Sequence, residues 1–253
     1  MLNFLRSLSI LFLCACSSKK NENTLVMLTS ADNPPYGFFN SKDGKMEGFE
    51  IDLAQEIAKR MNMKIEIKDS HFSSLISALQ NGKGDFVMAA LSKTEERAKA
   101  VDFSENYYQS IPAFLSSKVF EGRTYEDLNG KKVGVQLGSV YETTLKNLMV
   151  NNPKFKVELL ALTSIGELIQ ELKKGKIDGL ITEGVVAQNY VKDGFFSLPL
   201  MGLQVDSYSA AFPKGSVVFQ KFNDTVKTLK KEGFIDKLAQ KWFTLAATKV
   251  AMQ

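Results

Sequence analysis

Two periodicities of apolar residues alternate along the chain. Residues 25–28 form a short apolar run that predicts a strand, whereas the apolar residues at 51–61 recur with the 3.6-residue period of a helix. A strand at 63–67, a helix at 75–79 and a strand at 86–90 follow. Two prolines predict that residues 32–37 form a loop. This βαβα alternation predicts an α/β fold of parallel sheets flanked by helices.

A seven-residue segment recurs 93 residues further along the chain. LQNGKGD at residues 79–85 and LKKGKID at residues 172–178 share a leucine, a glycine, a lysine and an aspartate in register. A predicted helix precedes each copy and a predicted strand follows it. Helix–glycine–strand turns are common, so chance is the alternative, but we expect two lobes of similar structure.

The two expected lobes have no linker rich in proline, glycine or serine between them. The extended segments 111–118 and 205–212 are the candidate crossings, and two crossings make the first lobe discontinuous. We therefore predict that lobe 1 holds residues 24–112 and 209–253 and that lobe 2 holds residues 113–208. Two extended crossings form a hinge about which the lobes close over a ligand cleft.

The N-terminus resembles an export signal. A positive charge precedes a short apolar segment at residues 8–13, which is shorter than a membrane span. Leu13-Cys14-Ala15-Cys16 resembles a bacterial lipobox, in which the second cysteine is acylated after cleavage before it. We predict a signal at residues 1–16, a polar tether at residues 17–23, and a periplasmic or cell-surface protein anchored to a membrane through Cys16. An ordinary cleaved signal is the alternative.

Composition narrows the class of function. The chain has 253 residues with 44% hydrophobic content, which favours a folded protein. Its net charge of +4 is small and spread along the chain, so we expect no nucleic-acid partner. His71 is the only histidine, which argues against a histidine-rich metal site and against Ser-His-Asp hydrolysis. We expect a monomer that has no catalytic residues and needs no metal or cofactor.

Polar residues follow three predicted strand ends, where open α/β sheets bind ligands. At the first end, Thr94 is predicted to cap a helix whose first turn carries Arg97. The Arg97 guanidinium can grip a carboxylate bidentately, and the hydroxyl of Ser92 can donate to the same group. The alternative is that Arg97 pairs with Glu96 or another surface acid.

The other two strand ends complete a cleft. VGVQLGS at residues 133–139 predicts a strand, a glycine turn and a helix N-terminus, whose free N–H groups suit an anion. Glu183 follows the third strand, and its counterpart in the repeat is Ala90. Opposed lobes would place Glu183 and Arg97 across one cleft, an arrangement that suits a zwitterion because each buried charge finds a partner. A solvated loop glutamate is the alternative.

Three stretches of sequence together carry a family pattern. They are NPPY at residues 33–36 with GFEIDL at 48–53, SKTEER at 92–97 with VDFSENYY at 101–108, and GKKVGVQLGS at 130–139. Over residues 24–243 the chain resembles the family 3 solute-binding proteins, the polar amino-acid receptors of ABC importers. The resemblance implies the type II periplasmic-binding-protein fold, with a ligand cleft between lobes joined by a two-stranded hinge. It also implies delivery of an amino acid to a permease.

The resemblance implies a role for each residue of the predicted site. Arg97 would bind the α-carboxylate with help from the first lobe and from N–H groups of the second lobe. Glu183 would bind the α-amine, where the family usually has aspartate, and Phe72 would stack on the ligand side chain. The complete predicted set is Asn33, Phe72, Ala90, Ser92, Arg97, Gln136, Ser139, Val140 and Glu183.

Departures from the family pattern bear on specificity. Asn33 replaces an aromatic residue of the family, and Ser30 stands where receptors for basic amino acids often carry an acid. The longer side chain of Glu183 would crowd the amine end. These differences favour a small or polar neutral amino acid, with side-chain contacts from Asp32 or Tyr141 left open. The alternatives are an arginine or lysine receptor, a secreted enzyme similar to cyclohexadienyl dehydratase, and a sensor that signals through a partner.

Overall fold

The computed structural model describes residues 23–191, 194–200 and 206–244. They form two five-stranded sheets flanked by helices, together with one small three-stranded sheet. The predicted two-lobe α/β fold is therefore confirmed. The predicted signal, the lipobox with Cys16 and most of the tether lie outside the described residues.

The helices and strands alternate as the periodicity predicts. Up to the first crossing, the elements are β1 (Thr24–Thr29), β2 (Asp32–Asn33), β3 (Gly37–Phe39), β4 (Met46–Glu47), α1 (Phe49–Arg60), β5 (Lys64–Asp69), α2 (Leu75–Gln80), β6 (Phe86–Val87), α3 (Glu95–Ala100) and β7 (Asp102–Ser110). The second lobe contains β8 (Pro112–Ser116), β9 (Lys132–Gln136), α4 (Val140–Asn151), β10 (Glu158–Leu162), α5 (Ile165–Lys173), β11 (Gly179–Glu183), α6 (Gly184–Val191) and β12 (Phe196–Pro199). The chain then returns to the first lobe with β13 (Asp206–Phe212), α7 (Phe219–Lys231) and α8 (Phe234–Ala239).

The two large sheets have the same topology. The strand order is β5-β1-β6-β13-β7 in the first sheet and β10-β9-β11-β8-β12 in the second. In each sheet the three strands that alternate with helices are parallel, whereas the two strands that lead into or out of the crossings are antiparallel to their neighbours. The predicted parallel strands are present, and the crossing strands add antiparallel pairs to each sheet because they reverse the direction of the chain.

The repeated segment has the same structural role in both lobes. The Asp85 carboxylate accepts the backbone N–H of Val26 at 2.8 Å, and the Asp178 carboxylate accepts the backbone N–H of Lys132 at 2.8 Å. In both copies the aspartate ties the turn after a helix to the middle one of the three parallel strands, β1 in the first sheet and β9 in the second. The sequence repeat thus corresponds to a structural repeat, which brings equivalent strand ends to the two sides of one cleft.

The described residues on either side of the second crossing pair with residues of the first crossing. Ile111 alone separates β7 from β8, and Asp206 at the start of β13 pairs with Ser110 at the end of β7. On the other side, Leu200 donates its N–H to the carbonyl of Pro112 at 2.9 Å. Strand pairing thus places Pro112 in the second sheet and residues 206–208 in the first. The predicted lobe boundaries assign Pro112 to lobe 1 and residues 206–208 to lobe 2, which differs from the strand pairing. The boundaries themselves stay a prediction.

The segment predicted as a loop contains regular structure. Residues Asp32–Asn33 and Gly37–Phe39 form β2 and β3, which pair antiparallel and extend to β4. Pro34 and Pro35 occupy the turn between them, where no ladder hydrogen bond is needed. The prolines therefore restrict the turn without preventing the strands, and the hairpin projects Asp32 and Asn33 from the first lobe.

Helix α1 anchors this hairpin to the first lobe. The N–H groups of Phe49 and Glu50 donate to the carbonyls of Pro35 and Tyr36, each at 2.9 Å. Phe49, Leu53 and Ile57 on the apolar face of the helix are buried. Within the described ranges, the helices are too short or too polar to cross a membrane.

The close approach at Gly48 gives a test of this anchor. Gly48 has a φ of 140°, and a Cβ there would overlap the carbonyl oxygen of Tyr36. We expect Gly48→Ala to lower the free energy of unfolding by more than about 2 kcal/mol, because overlap adds to an unfavourable φ.

The matched control is Gly44→Ala. Gly44 also has a positive φ, of 69°, but its added Cβ would meet no heavy atom within 4 Å. This control should cost only about 1 kcal/mol. Urea unfolding measures both variants, and equal losses would contradict the steric explanation.

Candidate functional site

A small cavity lies between the two lobes. Its residues follow β6 in the first lobe and lie at the ends of β9 and β11 in the second. The lining residues are Phe72, Ala90, Ser92, Arg97, Gln136, Ser139, Val140, Tyr141, Ile165, Ile181, Thr182 and Glu183. Eight of the nine predicted site residues are among them, and the side chain of the ninth, Asn33, hydrogen-bonds to Glu183. Their binding roles stay predictions.

Arg97 is held by the helix cap that the sequence predicts. Thr94 precedes α3, and its hydroxyl accepts the backbone N–H of Arg97 at 3.1 Å. The guanidinium donates to the carbonyls of Ser92 at 2.7 Å and Gly138 at 2.9 Å, and its central carbon lies 5.6 Å from the centroid of the Phe72 ring. Phe72 thus contacts the guanidinium, which restricts the orientation of Arg97.

The charge of Arg97 has no direct acidic partner. Within the described ranges no carboxylate lies within 4 Å of its guanidinium, so the alternative pairing with Glu96 does not form. Burial lowers the pKa of Arg97 to about 10, although the charges of Asp206 and Glu96 oppose this shift. Arg97 therefore remains protonated at neutral pH and offers a half-buried positive charge to the cavity.

Glu183 supplies a negative charge from the second lobe. It ends β11, is buried, and accepts the hydroxyl of Thr182 at 2.8 Å. Burial raises its pKa to about 7, the hydrogen bonds from Thr182 and Asn33 oppose the shift, and the charge of Asp206 adds to it. Near neutral pH the carboxyl group is therefore poised between its two protonation states.

Asp206 is a site residue that the sequence analysis missed. It begins β13, and its carboxylate hydrogen-bonds to the side chains of Ser92 and Tyr141, both of which line the cavity. Burial raises its pKa, although these hydrogen bonds and the charge of Arg97 oppose the shift. Its Oδ2 atom is buried without a hydrogen-bond partner in the described part of the chain. Only its place in a predicted crossing could have drawn attention to it.

The N-terminus of α4 brings one free donor to the cavity. Ser139 caps this helix, since its hydroxyl accepts the N–H of Glu142 at 3.3 Å. The N–H of Ser139 itself donates to the carbonyl of Gln136 at 3.1 Å and is therefore occupied. The N–H of Val140 has no acceptor among the residues that the structure describes. Of the two predicted donors, Val140 is thus the one available to an anion.

Hydrogen bonds between the lobes surround the cavity. Besides the bond from Arg97 to Gly138, the Asp32 carboxylate accepts the N–H of Ile165 at 3.2 Å. The side-chain amide of Asn189 donates to the carbonyl of Pro34 at 2.9 Å. The lobes are therefore closed over the cavity, and a ligand inside would contact both of them.

The described residues bring charged and polar groups to the cavity. Across residues 23–191, 194–200 and 206–244, no three acidic, histidine or cysteine side chains are grouped so that they could hold a metal ion. His71 is exposed beside the one-turn helix that carries Phe72. The cavity is lined by a fixed positive charge, the carboxyl group of Glu183 and polar donors, and Asp206 hydrogen-bonds to two of the lining residues; together these groups suit a small charged ligand.

Comparisons with known proteins agree with this geometry. Residues 25–245 match the model of the bacterial extracellular solute-binding proteins, family 3. The arginine-binding extracellular protein ArtP of Bacillus subtilis (strain 168) is 36% identical over 232 residues, which cover 90% of this chain and 89% of that protein. A probable histidine-binding protein of Campylobacter jejuni is 35% identical, covering 94% of this chain and 96% of its own length.

A solved structure agrees as well. An ancestral arginine-binding protein bound to arginine superposes with a TM-score of 0.80 at 39% sequence identity. The match covers 87% of this chain and 98% of that one. The type II two-lobe fold thus extends to nearly the whole of a protein solved with its ligand.

The raised pKa of Glu183 gives a test of its burial. A carboxyl group whose pKa rises from 4.5 when unfolded to about 7 when folded binds its proton more tightly in the folded state. Its contribution to stability is present below pH 4.5 and is lost as the pH rises to about 7. We expect the stability of the ligand-free wild type, relative to Glu183→Gln, to fall by about 3 kcal/mol between pH 4.5 and 8.

Urea unfolding at several pH values measures this difference. Glu50, whose pKa burial also raises to about 7, titrates in both proteins, and most of its contribution cancels because the charge of Glu183 is the smallest cause of its shift. Parallel stability curves for the two proteins would contradict the buried state of Glu183.

Proposed function

The chain belongs to the bacterial extracellular solute-binding proteins, family 3, and we propose that this amino-acid-binding protein of an ABC importer selects a ligand with a positively charged side chain. The observation that carries the proposal is the charge of the cavity. The guanidinium of Arg97 and the carboxyl group of Glu183 both line the cavity, and the carboxyl group of Asp206 hydrogen-bonds to the lining residues Ser92 and Tyr141. A zwitterion with a cationic side chain balances these charges.

Arg97 and Glu183 form the clamp for the backbone of the ligand. The α-carboxylate binds the guanidinium, whose five N–H donors exceed the two that its present hydrogen bonds to carbonyls require. Ser92 and the free N–H of Val140 bind the same carboxylate from the two lobes. The α-ammonium binds Glu183 and stabilises its ionised form. Each buried charge thereby gains a partner, which removes the cost of leaving it unpaired.

Asp206 and Asn33 bind the cationic side chain. Both contain a buried oxygen without a hydrogen-bond partner in the described part of the chain, Oδ2 of Asp206 and Oδ1 of Asn33. Both lie beside Glu183, since Asn33 hydrogen-bonds to it and the charge of Asp206 raises its pKa. These oxygens only accept hydrogen bonds, so they require donors, and a guanidinium supplies several.

This specificity replaces the sequence-based preference for a neutral amino acid. That preference rested in part on the missing acid at Ser30, whose hydroxyl donates to Asp32 at 2.8 Å. Asp206 instead brings a carboxylate into hydrogen-bond contact with Ser92 and Tyr141, which line the cavity. Two relatives support a cationic ligand, an arginine-binding protein and a probable histidine-binding protein, whereas two others are a cystine-binding and a glutamine-binding protein.

Capture works by closure of the two lobes. An open form exposes Arg97 and Ser92 on one lobe, and closure adds Glu183 and the N–H of Val140 from the other. Because the ligand contacts both lobes only in the closed form, it shifts the equilibrium toward closure. The permease then receives the closed protein. No covalent step is needed, although a buried glutamate with a pKa of about 7 is also suited to general acid catalysis.

L-arginine and L-citrulline provide a matched pair of ligands for the specificity test. Citrulline has nearly the shape of arginine but carries a neutral urea in place of the guanidinium. We expect L-arginine to bind the wild type at least about tenfold more tightly, since a hydrogen bond to a charged group contributes about 1.5–3 kcal/mol. Asp206→Asn should remove most of this preference, as measured by titration calorimetry.

Two further variants separate the clamp from the side-chain site. Arg97→Lys should weaken both ligands alike, because lysine loses the bidentate contact, whereas Arg123→Lys at an exposed position should change neither. Tighter binding of citrulline would refute the cationic specificity while leaving the receptor intact. Prephenate dehydration that disappears in Glu183→Gln would instead support the enzyme.

We also propose that the protein is an exported monomer tethered to a membrane by acylation of Cys16. The support is the lipobox-like sequence and the extracellular family. We expect labelled palmitate to enter the protein expressed in bacteria, and Cys16→Ser to abolish both labelling and recovery with membranes. Cys14→Ser is the matched control and should leave both unchanged, since that residue is removed with the signal. Labelling that persists in Cys16→Ser would contradict the anchor.

A further inference from the structure

Glu50 is a fully buried carboxylate directly behind the wall of the cavity. Its side chain on α1 is 0% exposed. Its Oε1 atom accepts the backbone N–H of Ala90 at 2.7 Å and also the hydroxyl of Tyr107. Its Oε2 atom has no partner in the described part of the chain. Burying a carboxylate is costly, and an apolar residue at this position would pack at a lower cost.

Ala90 needs the support that Glu50 gives. Its φ is 48°, and Asn62 is the only other non-glycine residue in the described ranges with a positive φ. This left-handed conformation costs an alanine about 1–2 kcal/mol. Ala90 is nevertheless buried and lines the cavity, and none of the described residues donates to its carbonyl. A constraint outside the residue therefore has to stabilise its conformation.

The turn at Ala90 sets the path of the binding wall. Strand β6 ends at Val87, short of the predicted residue 90, and the chain turns before Ser92. The carbonyl of Ser92 then accepts the guanidinium of Arg97 at 2.7 Å. If Ala90 relaxed to an extended conformation, the direction of the chain at Ser92 would change. The contact that orients Arg97 would change with it.

We infer that Glu50 is a positioning residue for ligand binding. By accepting the N–H of Ala90, its carboxylate holds the left-handed turn that presents residues 90–92 to the ligand. The inference rests on the proposed function, because it assigns the purpose of this turn to amino-acid binding. Tyr107 orients the same carboxylate from β7, the strand that leads into the crossing at Ile111.

Three variants of the full chain test the inference with L-arginine as the probe. Glu50→Met removes the acceptor at similar volume, so the turn becomes a minor conformation and the Kd should rise about 5- to 30-fold. Glu50→Gln keeps an oxygen for the Ala90 N–H and should stay within about twofold of the wild type. Tyr107→Phe leaves the bond to Ala90 in place and should also bind nearly normally.

Rescue by glycine distinguishes positioning from packing. Glycine adopts a positive φ without steric cost. The double variant Glu50→Met with Ala90→Gly should therefore have a Kd at least threefold lower than that of Glu50→Met alone. A packing defect at Glu50 would not respond to this change. Normal binding by Glu50→Met, or no recovery in the double variant, would overturn the inference. Glu50→Leu replaces the methionine variant if that protein does not fold.

Amide exchange at Ala90 provides a readout that needs no ligand. In the ligand-free protein, exchange at this amide should be at least tenfold faster in Glu50→Met than in the wild type, and unchanged in Glu50→Gln. A wild type that binds no amino acid would refute the proposed function, and the exchange experiment would still decide whether Glu50 holds the turn. Equal exchange in all three proteins would refute the positioning role.

Discussion

The positive charge of Arg97 dominates the design of the cleft. A guanidinium removed from water needs either an acidic partner or dense hydrogen bonding, and Arg97 has only two carbonyl acceptors and the face of Phe72. The pKa of Arg97 is lowered because burial is not fully compensated by such partners. The same constraint explains the other charged residues of the cleft. A ligand that binds Arg97 through its carboxylate must also bring its ammonium group into the same enclosed space. Glu183 lies where such a group would need an anion.

The internal repeat explains how so distant a pair of residues can face each other. Each lobe builds the same turn with an aspartate that accepts an N–H of its middle parallel strand, at Asp85 in one lobe and Asp178 in the other. The strand that follows this turn ends at the cleft in both cases. The first lobe there has Ala90, where the backbone itself forms the wall, whereas the second lobe has Glu183, where a side chain does so. The same supersecondary unit thus forms a neutral wall of the cleft in the first lobe and an anionic wall in the second lobe.

The sequence predicted those features that depend on residues close together in the chain. Thr94 as a cap, the helix beginning at Val140 and the segment around Arg97 all depend on residues close together in the chain. Sequence reasoning failed where the pairing of strands decides. Asp206 reaches the cavity-lining residues Ser92 and Tyr141 only because β13 pairs with β7, and Asp32 and Asn33 form a strand only because β3 lies opposite. The occupied N–H of Ser139 likewise depends on the geometry of one turn, which residue types do not reveal.

Proton binding connects the empty and the occupied site. Burial raises the pKa of Glu183 and of Glu50 to about 7, the charge of Glu183 adds to the shift of Glu50, and both charges raise the pKa of Tyr36. An ammonium group bound beside Glu183, as we propose, would favour its ionised form, so ligand binding near neutral pH would release a proton from this residue. Glu50 remains behind the wall, where the ligand brings no compensating charge. The free protein can therefore reduce the cost of its buried acids by protonation, and the ligand restores the negative charge where it is needed. In this way the closed cleft tolerates more carboxyl groups than its single guanidinium could neutralise.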